Sequence, residues 1–266
     1  MRKLATFYIA ALVIVIAPSV TQAKQPPGPM NWTGAYGGFS VGGRWAGNDW
    51  NTTDVAPTLA AILSNDPNPN GQFDSMAARI GAYLGYNWLI APLWIAGIEA
   101  DIGWANNKKN FAPIPGTVQN DIVAIFSYIN QPHGSVSENW DASVRGRLGR
   151  LIAPDLLLFG TLGVSWQSVE LTAQCPASGG ATDWCTIPNN ESHSAVRTGW
   201  TVGGGIERMI GRWIVRAEYR YADFGTLSHT FFTFNTAAVF DDRFTAHVAV
   251  RTQTAAIGVA YKFSGD

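Results

Sequence analysis

Between positions 94 and 104 the chain is apolar at every second residue and carries a tryptophan at each end. The apolar positions are Trp94, Ala96, Ile98, Ala100, Ile102 and Trp104. A period of two indicates a β-strand. Ten residues of strand span roughly 33 Å, and a tilt of about 40° reduces this to about 25 Å, the height of a membrane barrel's apolar band. A soluble sandwich would also alternate, but aromatic residues at both ends of the apolar face favour a membrane strand.

Comparable segments recur along the chain. They comprise residues 32–45, 79–88, 93–104, 140–149, 156–167, 198–208, 213–224 and 254–263. Tight connections at 89–92, 150–155 and 209–212 alternate with long ones at 46–73, 105–139, 168–197 and 225–253. The pattern predicts an all-β fold, an eight-stranded antiparallel up-and-down transmembrane β-barrel with short periplasmic turns and long extracellular loops. Short helices are predicted within the loops, near 58–63 and 118–129.

The N-terminus has the features of an export signal. A basic start, Met1-Arg2-Lys3, precedes an apolar run over 4–17 and small residues that end at Ala23. This predicts a cleaved signal peptide over 1–23, a short periplasmic lead over 24–31 and a barrel domain over 32–266. The alternative is a membrane anchor, but the apolar run is shorter than the roughly 20 residues that a spanning helix needs.

Composition and charge exclude several function classes. Charged residues are only 14% of the chain, which contains 11 Trp and 28 Gly, whereas soluble domains average roughly 25% charged residues. Removal of Arg2 and Lys3 leaves 16 basic and 19 acidic residues, a net charge of −3. The Lys108-Lys109 pair is too small a basic patch for nucleic acid. We therefore expect no nucleic-acid partner.

Residues 38–42 read GFSVG and match the G-x-S-x-G signature of serine hydrolases. That signature requires a strand, a strained turn at the serine and then a helix. Downstream of Ser40 the alternation continues, with Val41, Gly43 and Trp45 on one face. The sequence predicts that Ser40 is a lumen-facing strand residue, not a nucleophile.

The same alternation places many charged residues on the inward face of the barrel. They are Arg44, Arg79, Glu99, Asp101, Arg145, Arg147, Glu207, Arg216, Glu218, Arg220 and Lys262. A carboxylate in a confined lumen is costly unless it is paired, and arginine is a bidentate partner. We predict an ion-pair network of Glu99, Asp101, Arg145, Arg147, Glu207, Arg216, Glu218 and Arg220, with segments three and four pairing antiparallel. No cofactor is expected.

Cys175 and Cys185 lie in a polar stretch, and in an oxidising envelope they are expected to form a disulfide. A metal site is the alternative, but it would need more ligands than the nearby His193.

A catalytic site would need a histidine near a hydroxyl or carboxylate. His229 and His247 flank the last long connection, with Asp241 and Asp242 between them. Nothing in the sequence orients these groups, so no catalytic residue is predicted.

Several motifs occur in an order that resembles a known family. They are NWTGAYGGFSVGGRW at 31–45, GYNW at 85–88, AGIEADIGW at 96–104, VRGRLG at 144–149, LLLFGTLGVSW at 156–166, RTGWTVGGGIE at 197–207, VRAEYRYADFG at 215–225 and AYKF at 260–263. Together they resemble the outer-membrane immunogenic, opacity-type surface-antigen family of Gram-negative bacteria. The resemblance covers all eight strands. It implies a porin-like barrel with roles in envelope integrity and surface antigenicity.

The resemblance also implies that an aromatic residue near the C-terminus is read by the barrel-assembly machinery. Phe263 is that residue, although Ser264-Gly265-Asp266 follow it here. The expected surroundings are outer-membrane lipid and lipopolysaccharide, and the loops could contact host or envelope ligands. We expect a structural, surface-antigen role. One alternative is a porin-like diffusion channel, although the narrow interior of eight strands counts against it. The other is a barrel enzyme acting on envelope lipid or peptide.

Overall fold

Pairing between the first and last long strands closes the sheet into a ring. The computed structural model describes residues 30–56, 70–111, 114–115, 133–175, 188–233 and 243–263. Its strands are β1 (Gly34–Thr53), β2 (Asn70–Gln72), β3 (Ser75–Ala91), β4 (Trp94–Phe111), β5 (His133–Ala153), β6 (Leu156–Cys175), β7 (Asn189–Ile210), β8 (Trp213–Phe231) and β9 (Phe244–Lys262). All neighbours are antiparallel and consecutive, and β1 pairs with β9. The predicted up-and-down barrel is therefore confirmed.

The ring contains eight long strands, as predicted, and the short β2 is a continuation of one of them. β1 pairs with β2 at Asp49↔Gln72 and with β3 at Ala46↔Ser75. Both pairs belong to one register, so β2 extends β3 beyond a two-residue break. At that break the Phe73 amide donates to the carbonyl of Asn48 at 2.8 Å, and the Phe73 side chain is fully buried.

Side chains on the outer face are large, apolar and exposed, as the alternation predicts. Ile80 and Leu84 of β3 are 65% and 66% exposed. Two girdles of exposed aromatic residues bound this surface. One comprises Trp88, Trp94, Trp213 and Phe263, and the other comprises Trp45, Trp104 and Trp200. Aromatic girdles mark the two interfaces of a membrane barrel, so we define the part between them as the membrane-spanning band.

Three tight turns lie at one end of the barrel, which we call the turn end. They are centred on Pro92-Leu93, Pro154-Asp155 and Gly211-Arg212. The last two lie within connections predicted to be short, and the first extends one residue beyond the end of the predicted connection 89–92. Gly211 has a φ of 63°, a left-handed conformation that glycine adopts without steric cost. The first residues of β1 and the last residues of β9 pair at this same end of the barrel, at Tyr36 and Lys262. We call the opposite end the loop end.

The strands extend further toward the loop end than predicted, which corrects the predicted loop boundaries. β5 begins at His133 and β9 at Phe244, although 105–139 and 225–253 were predicted to be loops. In β9 the inward positions Ala246, Val248 and Val250 are buried and alternate with outward Thr, His and Ala residues. Beyond the girdle the outward positions face water. The lipid-facing pattern used for the prediction therefore ends before the strands do.

Some predictions fall on residues that the structure does not describe. The predicted signal peptide 1–23, most of the lead 24–31, and the predicted helices at 58–63 and 118–129 lie outside the described residues. Within the described ranges, no helix has the length and apolar character needed to cross a membrane.

Candidate functional site

Inward-facing charged side chains from six strands meet in the middle of the lumen. We call this set the charged layer: Arg44, Arg79, Glu99, Asp101, Asp141, Arg145, Arg147, Glu207, Arg216, Glu218 and Arg220. Strand register brings opposite charges side by side. Glu99 of β4 is paired with Arg145 of β5, and Glu207 of β7 is paired with Arg216 of β8.

Glu99 is the carboxylate with the most partners in this layer. Arg145 Nη2 lies 2.7 Å from its Oε1, and Arg216 Nη2 lies 2.6 Å from its Oε2. Arg147 Nη1 lies at 3.5 Å, and the Tyr36 hydroxyl donates to Oε2 at 2.7 Å. Three strands other than β4, namely β1, β5 and β8, are thus joined through one side chain. Charge-assisted bonds of this kind are about twice as strong as neutral ones.

Glu207 forms a second junction toward the turn end. Its Oε2 lies 2.7 Å from Arg147 Nη2, and its Oε1 lies 2.5 Å from Arg216 Nη2. Both guanidinium groups also lie over aromatic rings: Arg147 is 4.5 Å from the centroid of Phe159, and Arg216 is 4.2 Å from that of Tyr83. Cation–π contact adds to the attraction where water is excluded.

Asp141 is a third junction, and sequence reasoning missed it. Its carboxylate lies 2.8 Å from Arg44, 2.5 Å from Arg79 and 3.2 Å from Arg220. Asp141, Ser143 and Arg145 occupy alternate positions on the inward face of β5. Extending the alternation back from Arg145 would have found it.

Asp101 and Glu218 complete the charged layer. Asp101 lies 2.8 Å from both Arg79 and Arg220 and accepts a hydrogen bond from Ser143. Glu218 accepts from Arg145 and lies 3.7 Å from Arg216.

The structure therefore brings together all eight residues of the predicted network. Lys262, also predicted to face the lumen, is buried at the turn end, away from the charged layer.

An apolar layer fills the lumen on the loop-end side of the charges. This loop-end apolar layer contains Trp50, Ala56, Phe73, Ile114, Val136, Val169, Leu171, Ala173, Cys175, Ala222, Phe224, Leu227, Phe231, Phe232, Phe244, Ala246, Val248 and Val250. The ring centroids of Trp50 and Phe73 are 5.1 Å apart, and those of Phe231 and Phe244 are 5.3 Å apart. Stacked rings at these distances pack closely, so this half of the interior is a hydrophobic core.

A second apolar layer fills the turn end. This turn-end apolar layer contains Trp32, Tyr36, Tyr83, Ile95, Leu157, Phe159, Met209, Ile214 and Ala260. Trp32 precedes β1, and its indole Nε1 donates to the carbonyl of Pro154 at 3.1 Å. The segment before β1 therefore packs against the turn end of the barrel.

Ser40 lies in the middle of β1, and the strand runs on to Thr53. No helix begins in the described residues 41–56, so the nucleophile-elbow geometry does not occur at this serine. Ser40 instead lines a cavity of about 20 Å³ in the charged layer, together with Tyr83, Arg145 and Arg216.

Glu138 of β5 is a buried carboxyl group between the charged layer and the loop-end apolar layer, on the loop side of the Trp104 girdle. Its Oε1 accepts from Asn48 Nδ2 at 2.9 Å. Neither Glu138 Oε2 nor Asn48 Oδ1 has a partner among the described residues. Burial raises the pKa of Glu138 to about 7, although nearby Arg44 and the Asn48 bond oppose the rise. Sequence reasoning missed this residue.

Side chains bridge β7 and β8 at the rim of the loop end. Backbone pairing of these strands stops at Trp200↔Asp223. Beyond it, the rings of His193 and His229 stack with centroids 4.0 Å apart. His229 Nε2 lies 3.0 Å from Glu191 Oε1. Burial and the adjacent His229 lower the pKa of His193.

The two histidines of the predicted catalytic alternative have different partners. His229 contacts the carboxylate of Glu191, whereas His247 contacts the hydroxyls of Ser228 at 2.6 Å and Thr53 at 2.9 Å. In the described part of the chain, neither histidine contacts both a carboxylate and a hydroxyl. Asp241 and Asp242 lie outside the described residues.

Two further predicted residues have defined positions. Cys175 is disulfide-bonded at the end of β6, and its expected partner Cys185 lies outside the described residues. Phe263 follows β9, is exposed on the outer face, and its amide donates to the carbonyl of Ala35 at 2.9 Å. Among the residues with described positions, no group of three His, Cys, Asp or Glu side chains is arranged to hold a metal ion.

Comparison with known proteins identifies the family. The model of the outer membrane protein beta-barrel domain matches residues 8–263. The chain belongs to this family. Membership agrees with the closed antiparallel sheet and the two aromatic girdles, and it supports a location in the outer membrane.

Relatives of this outer membrane beta-barrel protein have names that match the resemblance found in its sequence. It is 25% identical over 224 residues to the 31 kDa outer-membrane immunogenic protein of Brucella melitensis, covering 83% of this chain and 82% of that protein. It is 23% identical over 251 residues to the 25 kDa outer-membrane immunogenic protein of Brucella abortus, covering 90% and 87%. The expected immunogenic outer-membrane family is therefore confirmed.

Among solved structures, the barrel is similar to the outer membrane protease OmpT from Escherichia coli. The two share 8% sequence identity and a TM-score of 0.49 over 86% of this chain and 96% of that one.

Proposed function

We propose that this protein is a closed, non-conducting outer-membrane barrel that strengthens the envelope and displays its loop end as a surface antigen. The observation that carries the proposal is the filling of the lumen. Two apolar layers enclose a charged layer in which Glu99 alone joins side chains from β1, β5 and β8. Such cross-links resist deformation of the ring and leave little free cross-section.

The pore alternative requires a continuous aqueous path. Eight-stranded barrels have interiors just wide enough for side chains, whereas aqueous porins use 16 to 18 strands. The cavity in the charged layer, at about 20 Å³, is the size of one or two water molecules. The narrow interior and the small cavity support a plugged lumen and argue against a channel.

The enzyme alternative requires a nucleophile, a base and an orienting group within hydrogen-bond reach. His229 contacts a carboxylate and His247 contacts hydroxyls, so these two histidines divide the roles between them. Ser40 lines a cavity in the lumen among arginines. We therefore propose no catalytic role.

The proposal includes the route to the membrane. Residues 1–23 would be removed as a signal peptide after export. Phe263 would serve as the signal for the barrel-assembly machinery, and its exposed ring on the outer face is compatible with recognition. Once inserted, the outer face would contact lipid and lipopolysaccharide, and the loop end would face host or envelope ligands.

The envelope role is tested in a strain that lacks the protein. We expect such cells to release more of a periplasmic enzyme and to be more sensitive to detergent. The wild-type protein should restore both properties, as should Arg208→Ala, which alters an exposed turn-end ion pair. Arg145→Ala, which weakens the charged layer, should restore them poorly. Normal envelope integrity in the deletion strain would contradict the proposed role.

A further inference from the structure

The cavity in the charged layer is small and lined by polar groups. Its volume is about 20 Å³, and the hydroxyl-bearing residues Ser40, Tyr83 and Thr254 line it together with Arg145 and Arg220. A single water needs about 10–15 Å³ by the same measure. The space therefore suits one small, compact particle, and it is too small for phosphate, sulfate or an organic acid.

Two buried donors in the cavity wall lack a partner among the described residues. They are the Tyr83 hydroxyl and Arg145 Nε, and the two residues are 6% and 1% exposed. Buried polar groups in native proteins are almost always hydrogen-bonded. A Cβ at Gly258 would lie 2.9 Å from the Tyr83 hydroxyl, so the glycine leaves room for this donor. Both donors call for an acceptor within the cavity.

The charged layer also carries an unbalanced positive charge. It contains six arginines and five carboxylates, which leaves a net charge of +1. Glu138 is the nearest further carboxyl group. Because burial raises its pKa to about 7, it is mostly protonated at pH 6 and adds no compensating charge. Buried charge is costly unless it is neutralised by a partner.

We propose that the cavity binds a single small halide ion, chloride under physiological conditions, with the Tyr83 hydroxyl and Arg145 Nε as donors. A water molecule would satisfy the two donors but would leave the excess charge in place. The cavity carboxylates Asp101 and Glu218 are each bonded to arginine, which reduces their repulsion of an anion. The halide thus completes the charged layer as an internal counter-ion.

The test uses the chain without its predicted signal peptide, refolded into vesicles of uncharged lipid at pH 6. Urea unfolding is followed at chloride concentrations from 1 to 300 mM, with sodium gluconate holding the ionic strength because gluconate is too large for the cavity. A ligand that binds only the folded state lowers the unfolding constant by about tenfold for each tenfold rise in its concentration above saturation. We expect this response for the wild-type protein.

Tyr83→Phe keeps the ring and removes the donor, so its response to chloride should be weaker. Tyr219→Phe, which removes an exposed hydroxyl bonded to Gln253, should respond like the wild type. A wild-type protein that is insensitive to chloride, or a Tyr83→Phe response equal to that of wild type, would show that the cavity holds water only.

A second measurement does not depend on the folding of a variant. Crystals of the wild-type protein grown in sodium bromide should give an anomalous peak inside the cavity, within contact distance of the Tyr83 hydroxyl. Absence of a peak there in well-diffracting crystals would overturn the proposal.

Discussion

Glu138 and Asn48 form a pair whose hydrogen bonds are complete only when the carboxyl group carries a proton. Asn48 Nδ2 already donates to Glu138 Oε1, and the two remaining oxygens, one on each side chain, have no other partner among the described residues. A proton on Glu138 Oε2 could be donated to Asn48 Oδ1, as in an acid–amide pair. The charged groups facing Glu138 are Arg44 and Asp141. These two residues already form an ion pair with each other.

This pair makes stability depend on pH. The pKa of Glu138 is raised from 4.5 to about 7 in the folded state, so between these values the folded state keeps a proton that the unfolded chain loses. The free energy of unfolding should therefore fall as pH rises through this window and level off above it. Glu138→Gln cannot bind this proton. The difference between its free energy of unfolding and that of the wild type should therefore increase by about 3 kcal/mol, in favour of the variant, between pH 4.5 and 8.

The measurement is urea unfolding of the refolded barrel across this pH range. Glu170→Gln, which changes an outward-facing glutamate of β6, is the matched control and should follow the wild-type curve. Parallel pH dependence of wild type and Glu138→Gln would show that Glu138 does not bind a proton in the folded state.

The strands are joined across the lumen by shared, not isolated, ion pairs. Arg145 of β5 contacts carboxylates of both β4 and β8, namely Glu99, Asp101 and Glu218. Removal of one arginine therefore leaves several buried carboxylates with fewer partners. Substituting both members of one pair would not empty the site, because the remaining partners stay in place.

Arg145→Ala should lower the free energy of unfolding by about 3–5 kcal/mol, the cost of stranding a buried charge. The control is Arg208→Ala, whose side chain is 66% exposed and 2.9 Å from Asp155; this surface pair should contribute about 0–1 kcal/mol. Both values come from urea unfolding in the same lipid. Equal costs for the two variants would contradict a structural role for the charged layer.

The order of the strands and the face on which each side chain lies could be predicted from the sequence. Lipid requires an apolar side chain at every second position, as at Ile98 and Ile102. That pattern fails where the register shifts. A bulge lies between Glu138 and Asp141 in the β5–β6 ladder, so alternation counted back from Arg145 would place Glu138 on the outer face. The bulge turns it inward instead. The loop-end apolar layer was missed for a related reason, since its strands face water outside and no longer show an apolar outer face.

The molecule as a whole has a direction in the membrane that follows from its connections. Short turns face the periplasm in bacterial barrels, and the longer connections face outward. We expect a cysteine introduced at the exposed Asn190, at the loop end, to react with a membrane-impermeant maleimide on intact cells. One at the exposed Leu93, in a turn, should react only after the outer membrane is opened. The reverse labelling pattern would invert the assigned orientation.

The filled lumen predicts that the barrel does not conduct as an open pore. Among the described residues, buried charges occupy the middle of the lumen and apolar layers occupy both ends. Single-channel recording of the refolded monomer in a planar bilayer tests this, with a sixteen-stranded porin as the positive control. We predict no stable current steps from the wild-type protein under conditions in which the porin conducts. Large, stable steps from the monomer would contradict the plugged lumen and would favour a diffusion channel.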